Sequence, residues 1–339
     1  MVRLRRVSPR QAGYTRRKRG KGFSYTDADG DALPKEEVER IKSLAIPPAW
    51  TDVWICTYPN GHLQATGTDE AGRRQYLYHP QWRIKQDRDK FQRIATAAEM
   101  LPSARRRIAR DLNQDDMPFE RAAATAVRLL DVGYFRIGND AYTDAHGSFG
   151  LTTLERQHVR RKGSDLVFSF TGKSGIAHSI AVDDKPAIEA LEKLRSRHSD
   201  SKRLLAYKEG GSWHDLSSAD VNEYLSTLFG GALTAKDFRT WHATVIAAEV
   251  LAWSEEPAKT KASRKRAVTQ AVQEVASYLG NTPTVARSSY IDPRIIDAYE
   301  SGETIVDAAK KRYSTTNARQ SSLEQAVLEL LSSSRKIQP

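Results

Sequence analysis

The stretch Ala235–Thr244, AKDFRTWHAT, decides how this chain folds and what it acts on, because it leads directly into a long apolar run. The apolar run predicts a buried helix that begins close to Arg239. The first turn of a helix offers free backbone N–H groups to an anion, and Lys236 and Arg239 add two cations there. The pattern therefore favours a phosphate-binding site. The alternative is a surface ion pair between Arg239 and Asp237.

Two more cations stand at the ends of predicted elements. Arg136 lies in GYFRIGN, residues 133–139, just after an apolar helix predicted for residues 118–131. Lys173 lies at the tip of a hairpin, in TGKSG, residues 171–175. A hairpin tip projects the ammonium away from the body, and a lysine can give up a proton where an arginine cannot. The alternatives are a cation that complements the helix dipole and a solvated turn lysine.

An amide and a phenol follow further along the chain. Gly280 ends an amphipathic helix predicted for residues 267–279, and Asn281 comes next. Thr282 and the proline after it predict the start of a short helix that carries Tyr290. Asn281 can donate a hydrogen bond to a phosphate oxygen, or it can be a left-handed cap residue. Tyr290 can be a nucleophile or a packing residue.

Together these five residues provide two guanidiniums, one ammonium, one amide and one phenol. The guanidiniums can neutralise phosphate oxygens, the ammonium can protonate a leaving group, and the phenol can become a covalent nucleophile. Such a set is suited to attack on a phosphodiester without a metal ion. We therefore expect a catalytic site with no metal and no cofactor.

The composition agrees with a polyanionic partner. The chain has 339 residues, a formal net charge of +11 and a single cysteine, Cys56. A strong positive charge favours nucleic acid as the partner. One cysteine cannot form an intramolecular disulfide, which favours a reducing compartment. The N-terminus lacks an apolar signal region, and no stretch is long enough to span a bilayer. We expect a cytoplasmic location and no membrane association.

The hydrophobic period changes once along the chain. Residues 1–21 are strongly basic and predict an arm, either disordered or lying on phosphates. Residues 22–85 read as a β-rich N-terminal domain, to which the resemblance described below assigns DNA binding. Residues 86–339 read as a larger, mainly α catalytic domain with one β-rich insert and C-terminal helices. The predicted fold class is α+β, with residues 80–90 as a hinge. Residues 254–263, with Pro257 and several charges, predict a linker.

The spacing of these residues resembles that of the tyrosine-nucleophile strand transferases, which include type IB DNA topoisomerases and tyrosine recombinases. The similarity rests on residues 236–244, on the Leu279-Gly280-Asn281 turn and on the nine-residue step to Tyr290. The N-terminal half resembles bacterial and poxvirus-like type IB topoisomerases, whereas recombinases carry a helical N-terminal domain. Three stretches support this: IPPAW at 46–50, GHLQATG at 61–67 and GRRQYLYH at 72–79.

The resemblance implies a role for each of the five residues. Tyr290 would attack phosphorus and form a 3′-phosphotyrosyl link, with a 5′-hydroxyl as the leaving group. Arg136 and Arg239 would hold the non-bridging oxygens, Lys173 would protonate the departing oxygen, and Asn281 would bond a non-bridging oxygen. Many relatives have histidine in place of Asn281, so this chain departs from them there.

The resemblance also implies the partner and the overall arrangement. Supercoiled double-stranded DNA would be relaxed by one chain acting as a monomer, without ATP or metal, in the nucleoid-associated cytoplasm of a bacterium. The two domains would form a clamp around duplex DNA. Six residues would contact DNA outside the catalytic set: Arg73, Arg74, Gln75, Tyr76, Tyr78 and Lys236.

Alternation along the predicted strand places Arg74, Tyr76 and Tyr78 on one face. The alternative for the two tyrosines is cross-strand packing. Two other functions stay open for the whole chain. The protein is either a topoisomerase, a tyrosine site-specific recombinase or a non-enzymatic architectural DNA-binding protein.

Overall fold

The computed structural model describes residues 3–138, 143, 147–254 and 260–333. Residues 255–259 of the linker predicted at 254–263, and the tail after residue 333, lie outside the described residues, and residues 261–263 already belong to a helix, so the linker prediction is wrong for them. The chain divides into two compact units, residues 1–90 and residues 91–339. The division lies within a helix, so residues 80–90, which we expected to act as a hinge, are helical. Among the described helices, none has the length and apolar character needed to cross a membrane.

The first unit is built on a five-stranded antiparallel sheet. Its strands are ordered β2-β1-β3-β4-β5 and its apolar core includes Ile41, Val53, Ile55 and Ala65. Helix α1 contributes Ile41 to that core, and its other residues are partly or fully exposed. The elements are β1 (Tyr14–Arg19), β2 (Gly22–Thr26), α1 (Lys35–Ser43), β3 (Thr51–Ile55), β4 (Leu63–Thr68) and β5 (Arg74–Tyr78).

The basic N-terminal segment is not an arm throughout. Residues Tyr14–Arg19 form strand β1, which pairs with both β2 and β3, so the prediction of an arm over 1–21 is wrong for this part. The reason is a two-residue alternation: Tyr14 and Arg16 are partly buried, and the residue after each of them is exposed. Arg16 donates hydrogen bonds to the carbonyl oxygens of Ile46, Pro47 and Trp50 and thereby fixes the IPPAW stretch.

The second unit is mainly helical, as the sequence predicts. Its centre is formed by helices α4 and α7, whose side chains are almost all buried. Ten helices follow α2 (Pro80–Ala98) among the described residues: α3 (Leu101–Leu112), α4 (Phe119–Gly133), α5 (Lys185–Ser196), α6 (Ser218–Phe229), α7 (Ala235–Trp253), α8 (Lys261–Leu279), α9 (Pro283–Ser289), α10 (Pro293–Glu300), α11 (Val306–Lys310) and α12 (Thr316–Ser333).

The β-rich insert of the second unit is larger than predicted. The expected hairpin exists as β7 (Asp165–Thr171) and β8 (Ala177–Val182), and β6 (Val159–Lys162) adds a third antiparallel strand. A separate hairpin joins β9 (Ala206–Glu209) to β10 (Ser212–Asp215). These added strands are four residues long and strongly polar, so their sequences carry little alternation.

Four chain segments of the second unit converge on one region. They are the end of α4, the first turns of α7, the end of α8 and the end of α9. Helix α8 packs along α7 and α9. Tyr134, directly after α4, adopts a left-handed backbone conformation with φ 54°, which ends the helix and sends the chain toward Arg136. This convergence positions the predicted catalytic residues.

Candidate active site

Arg239 lies in the second turn of α7 and is only 4% exposed. Its guanidinium donates to the carbonyl oxygens of Tyr134 and Leu279, the latter at 2.6 Å. Burial and the neighbouring Arg136 lower the pKa of Arg239 to about 10, so it remains a cation at neutral pH. The structure thus holds a buried positive charge with backbone oxygens on one side only.

The expected alternative for Arg239, an ion pair with Asp237, is wrong. Asp237 instead accepts two hydrogen bonds from Arg93, at 3.0 and 3.1 Å, and caps the start of α7 through the backbone N–H of Thr234. The helix cap and Arg93 therefore engage this carboxylate fully. Arg239 has no carboxylate partner among the described residues.

Arg136 is half-buried and lies on the chain that leaves α4. Its backbone is fixed because the N–H of Leu151 donates to the Arg136 carbonyl at 2.7 Å. Gly150 makes this possible, since a Cβ there would approach Gly138 Cα to 2.4 Å. The Arg136 guanidinium donates to the Gly280 carbonyl at 3.3 Å and to the side-chain oxygen of Asn281.

Asn281 follows the left-handed residue that ends α8. That residue is Gly280, with φ 57°, so the alternative of Asn281 as the left-handed cap is wrong. The backbone N–H of Asn281 donates to Ala276 O at 2.9 Å and completes the helix end. With its amide oxygen on Arg136, the Nδ2 group is buried and without a partner among the described residues. This orientation leaves the Nδ2 donor of Asn281 available to a ligand.

Tyr290 lies at the end of α9 and is 8% exposed. The Arg239 guanidinium carbon is 5.7 Å from the centroid of its ring. Burial raises the pKa of the Tyr290 phenol, but the positive charges of Arg239, Arg136 and Lys236 lower it by a larger amount. The pKa is therefore below its usual value. A phenol surrounded by three cations is easier to ionise and is thus a better nucleophile.

Thr244 fixes the backbone that directly follows Tyr290. Its hydroxyl accepts the N–H of Asp292 at 3.1 Å and lies 3.4 Å from the Tyr290 carbonyl oxygen. Sequence reasoning missed this role, although Thr244 closes the stretch quoted first. It also missed Tyr134, whose carbonyl holds Arg239 and whose ring packs edge-on against His242 at 4.8 Å. Neither residue type signals such a role by itself.

Lys173 is the one catalytic candidate that the structure does not bring to the others. It is exposed, in the turn between β7 and β8, and has no hydrogen bond or ion pair within the described part of the chain. The neighbouring Gly172 lines the same cavity as Arg136 and Arg239. The ammonium therefore stands beside the cavity on a hairpin whose tip, Ser174, has a left-handed backbone with φ 64°.

A cavity of about 560 Å³ lies at the convergence of these segments. Arg136 and Arg239 are in its wall, and the Nε atoms of both are buried without hydrogen-bond partners among the described residues. Unpaired buried donors are costly unless a ligand accepts from them. The two guanidiniums in the cavity wall have donors to spare, which suits an oxyanion such as a phosphate group.

In the first unit, the exposed face of β5 carries two tyrosines. Tyr76 is 50% exposed and Tyr78 37% exposed, and their rings stack with centroids 6.2 Å apart. Arg74 shares their face but binds the Asp52 carbonyl and Thr66 Oγ1.

Two other predicted DNA contacts of this unit are engaged within the chain. Gln75 lies on the opposite face of β5 from Tyr76 and donates to Asp69 at 2.8 Å, and its contact with DNA stays a prediction. Arg73 also pairs with Asp69, at 2.8 Å. Lys236, in the second unit, is exposed.

Comparison with known proteins adds the family to this geometry. Residues 79–317 match the family described as eukaryotic DNA topoisomerase I, catalytic core. Residues 22–69 match the family described as bacterial DNA topoisomerase IB, N-terminal domain.

Two similar proteins extend over most of the chain. DNA topoisomerase 1B of Acanthamoeba polyphaga mimivirus is 29% identical over 85% of this chain and 88% of its own length. DNA topoisomerase 1B of vaccinia virus is 24% identical over 83% of this chain and 88% of its own.

The family match and these relatives identify the chain as an enzyme that acts on DNA, an isomerase. The chain belongs to the type IB DNA topoisomerase family, with the N-terminal domain of the bacterial branch.

Proposed function

We propose that this protein relaxes supercoiled duplex DNA by transient cleavage of one strand through Tyr290. The observation that carries the proposal is the convergence of Arg136, Arg239, Asn281 and Tyr290: Asn281 binds Arg136, and the two arginines help to lower the pKa of the tyrosine. Because these groups lie on four separate segments, their meeting is a property of the fold and not of a local motif.

The chemical step uses the groups as follows. The phenol oxygen of Tyr290 gives up its proton to solvent and forms a bond to phosphorus, while the bond from phosphorus to the 5′ oxygen breaks. Arg136 and Arg239 offset the charge that develops on the non-bridging oxygens, and the Nδ2 group of Asn281 donates to one of them. Lys173 gives its proton to the departing 5′ oxygen.

The position of Lys173 requires a movement of the β7–β8 hairpin. Its ammonium is exposed and unpaired within the described residues, so no contact holds it away from the cavity. DNA in the cavity would place a phosphate beside the hairpin and attract the ammonium. The acid would then enter the site only when a substrate is bound.

Swivelling of the cut strand and religation complete the cycle. The phosphotyrosyl bond conserves the energy of the phosphodiester, so the reaction consumes no ATP, and protein cations replace a metal ion. The sheet of the first unit would contact the duplex through Tyr76, Tyr78 and Arg74. The second unit would add a contact through Lys236. One chain would form a clamp on the DNA and act as a monomer in the nucleoid-associated cytoplasm.

Supercoiled plasmid without a recombination site, incubated with the protein in EDTA and without ATP, tests this function. We expect a ladder of relaxed topoisomers from the wild type, and none from Tyr290→Phe, which still binds the plasmid. No relaxation of this plasmid, together with joining of a second plasmid that carries a recombination site, would instead identify a recombinase. A change in topology that persists in Tyr290→Phe would indicate an architectural DNA-binding protein.

A further inference from the structure

His178 is a side chain of the cavity wall that the mechanism above does not use. It lies on strand β8, directly opposite Phe170 on β7, and the two rings stack with centroids 5.2 Å apart and planes at 20°. Arg136, Arg239 and His178 line the same cavity. The imidazole is half-buried and has no hydrogen bond to any residue in the described part of the chain.

Two glycines leave the space that the imidazole fills. A Cβ on Gly172 would lie 2.6 Å from His178 Nε2, and a Cβ on Gly280 would lie 2.7 Å from its Cε1. Side chains at either position would displace the ring. The imidazole therefore sits between the hairpin that carries Lys173 and the turn that carries Asn281, in contact with both backbones.

Two cations, Arg136 and Arg239, and one carboxylate, Glu274, line the cavity together with the ring. Burial, followed by Arg136 and Arg239, lowers the pKa of His178, so the imidazole is neutral at pH 7. A neutral imidazole keeps one N–H donor and one acceptor nitrogen. Beside two guanidiniums, which can only donate, a ring without a partner suits a ligand that brings negatively charged oxygens.

We propose that His178 is a further catalytic residue of this chain, donating its N–H to a non-bridging oxygen of the scissile phosphate beside Arg136 and Arg239. The proposal rests on the proposed function, because it requires a DNA phosphate in this cavity. It also gives the two glycines a purpose, since they admit the ring between the acid hairpin and the Asn281 turn.

Single-turnover cleavage of a DNA duplex, measured as covalent adduct against time, tests the role of His178. The variant His178→Phe keeps a ring that stacks on Phe170 but has no N–H. Removal of one donor to a developing phosphoryl charge predicts a cleavage rate about 10²-fold slower. The variant His178→Gln restores an N–H at the reach of Nε2 and is expected to recover most of that loss.

A matched control comes from the β9–β10 hairpin. His214 stacks on Tyr207 with centroids 5.4 Å apart and planes at 25°, much as His178 stacks on Phe170, but it does not line the cavity. The variant His214→Phe should cleave at the wild-type rate. Thermal melting and DNA affinity of every variant should match the wild type, which separates the chemistry from folding and binding.

A substrate change separates contact with the phosphate from support of the structure. If His178 binds a non-bridging oxygen, replacing that oxygen by a methyl group removes the contact in the wild type as well. On one methylphosphonate diastereomer, His178→Phe and the wild type should then cleave at equal rates. A purely structural role would leave the difference of about 10² on both diastereomers.

The outcomes separate this proposal from the proposed function. A wild type that forms no covalent adduct overturns the proposed function itself. A wild type that forms the adduct, with His178→Phe equally fast, overturns only the role of His178. Equal slowing in His178→Phe and His178→Gln, unchanged on both methylphosphonates, also overturns it.

Discussion

At the scale of single residues, the site is a pair of guanidiniums, neither of which binds a carboxylate in the part of the chain that the structure describes. Arg136 and Arg239 bind carbonyl and amide oxygens instead: Gly280 O and Asn281 Oδ1 for the first, Tyr134 O and Leu279 O for the second. Neutral acceptors orient the two cations without cancelling their charge. The remaining charge is then available to a phosphate.

The replacement Arg239→Lys should show that geometry matters as much as charge. Lysine keeps the positive charge but cannot reach Tyr134 O and Leu279 O and a phosphate oxygen together, because it lacks the planar fork of arginine. We expect cleavage to slow by about 10²-fold or more. Single-turnover adduct formation measures this, with the same replacement at an exposed position of α3, Arg106→Lys, as the matched control. A rate near that of the wild type would show that charge alone is sufficient.

Lys173 is the residue whose role depends most on movement. In the variant Lys173→Ala, cleavage should be strongly slowed on ordinary DNA, because the 5′ oxygen departs without its acid. A substrate with a 5′ thiolate leaving group needs no proton and should be cleaved at close to the wild-type rate. Continued slow cleavage of the thiolate substrate by Lys173→Ala would remove Lys173 from the acid role.

At the scale of elements, helix α12 supports the helices that carry the candidate site. Arg105 of α3 binds Asp131 of α4 at 2.7 Å and Glu324 of α12 at 2.6 Å. Trp241 of α7, two residues after Arg239, donates to Glu324 at 3.3 Å. His242 lies 3.4 Å from Asp131. Because Arg105 already binds both carboxylates of this cluster, Asp131 and Glu324, the cluster is an ion-pair network. It fixes α12 against the helix that carries Arg239.

Removing the buried carboxylate should therefore destabilise the second unit in a pH-dependent way. Burial raises the pKa of Asp131, but Arg105 and His242 lower it by more, so its pKa in the folded state is below the ordinary value. Its contribution is present at neutral pH and is lost as the pH falls below the unfolded value of about 3.9. We expect Asp131→Asn to lower the free energy of unfolding at pH 7 by about 3–5 kcal/mol.

Urea unfolding at pH 7 and pH 3 measures this difference, which should be smaller at pH 3. Asp89→Asn is the control. The Asp89 carboxylate is exposed to water and makes only a loose ion pair, with Arg88 at 4.0 Å. A loss of stability that is the same at both pH values would show that packing, and not the ion pairs, holds α12.

The elements also show how far sequence reasoning reaches. The long helices of the second unit and the β7–β8 hairpin were predictable, because hydrophobic periodicity, capping residues and glycine turns indicate these elements within a short stretch of sequence. Strand β1 was missed, since its run of arginines and lysines conceals a two-residue alternation. The pairing of Asp237 with Arg93 was not predictable, because the partner lies 144 residues away.

The five catalytic candidates were found by chemistry and order, but their supports were not. Gly150, Thr244 and His178 act through close approach and through contacts between distant segments. No local pattern encodes such contacts in a single sequence. The structure shows these contacts. It also shows that Lys173 is the one catalytic candidate that does not lie with the other four, so its proposed role requires a movement into the cavity.

At the scale of the whole molecule, the net charge of +11 should govern DNA affinity. Each phosphate neutralised by a cation contributes a slope of about −0.9 to the logarithm of the binding constant against the logarithm of salt concentration. We expect a steep salt dependence for the wild type and the same slope for Tyr290→Phe, because binding precedes chemistry. Fluorescence anisotropy with a short duplex measures both. A shallower slope for Tyr290→Phe would mean that adduct formation contributes to the apparent affinity.

The central claim is that Tyr290 becomes covalently attached to DNA. Detergent added during plasmid relaxation traps the adduct, and peptide mass after protease and nuclease digestion locates it. The account predicts one modified peptide, with a nucleotide attached through its 3′ phosphate to Tyr290, in wild type and none in Tyr290→Phe. An adduct on another residue, or a 5′-linked nucleotide, would contradict it.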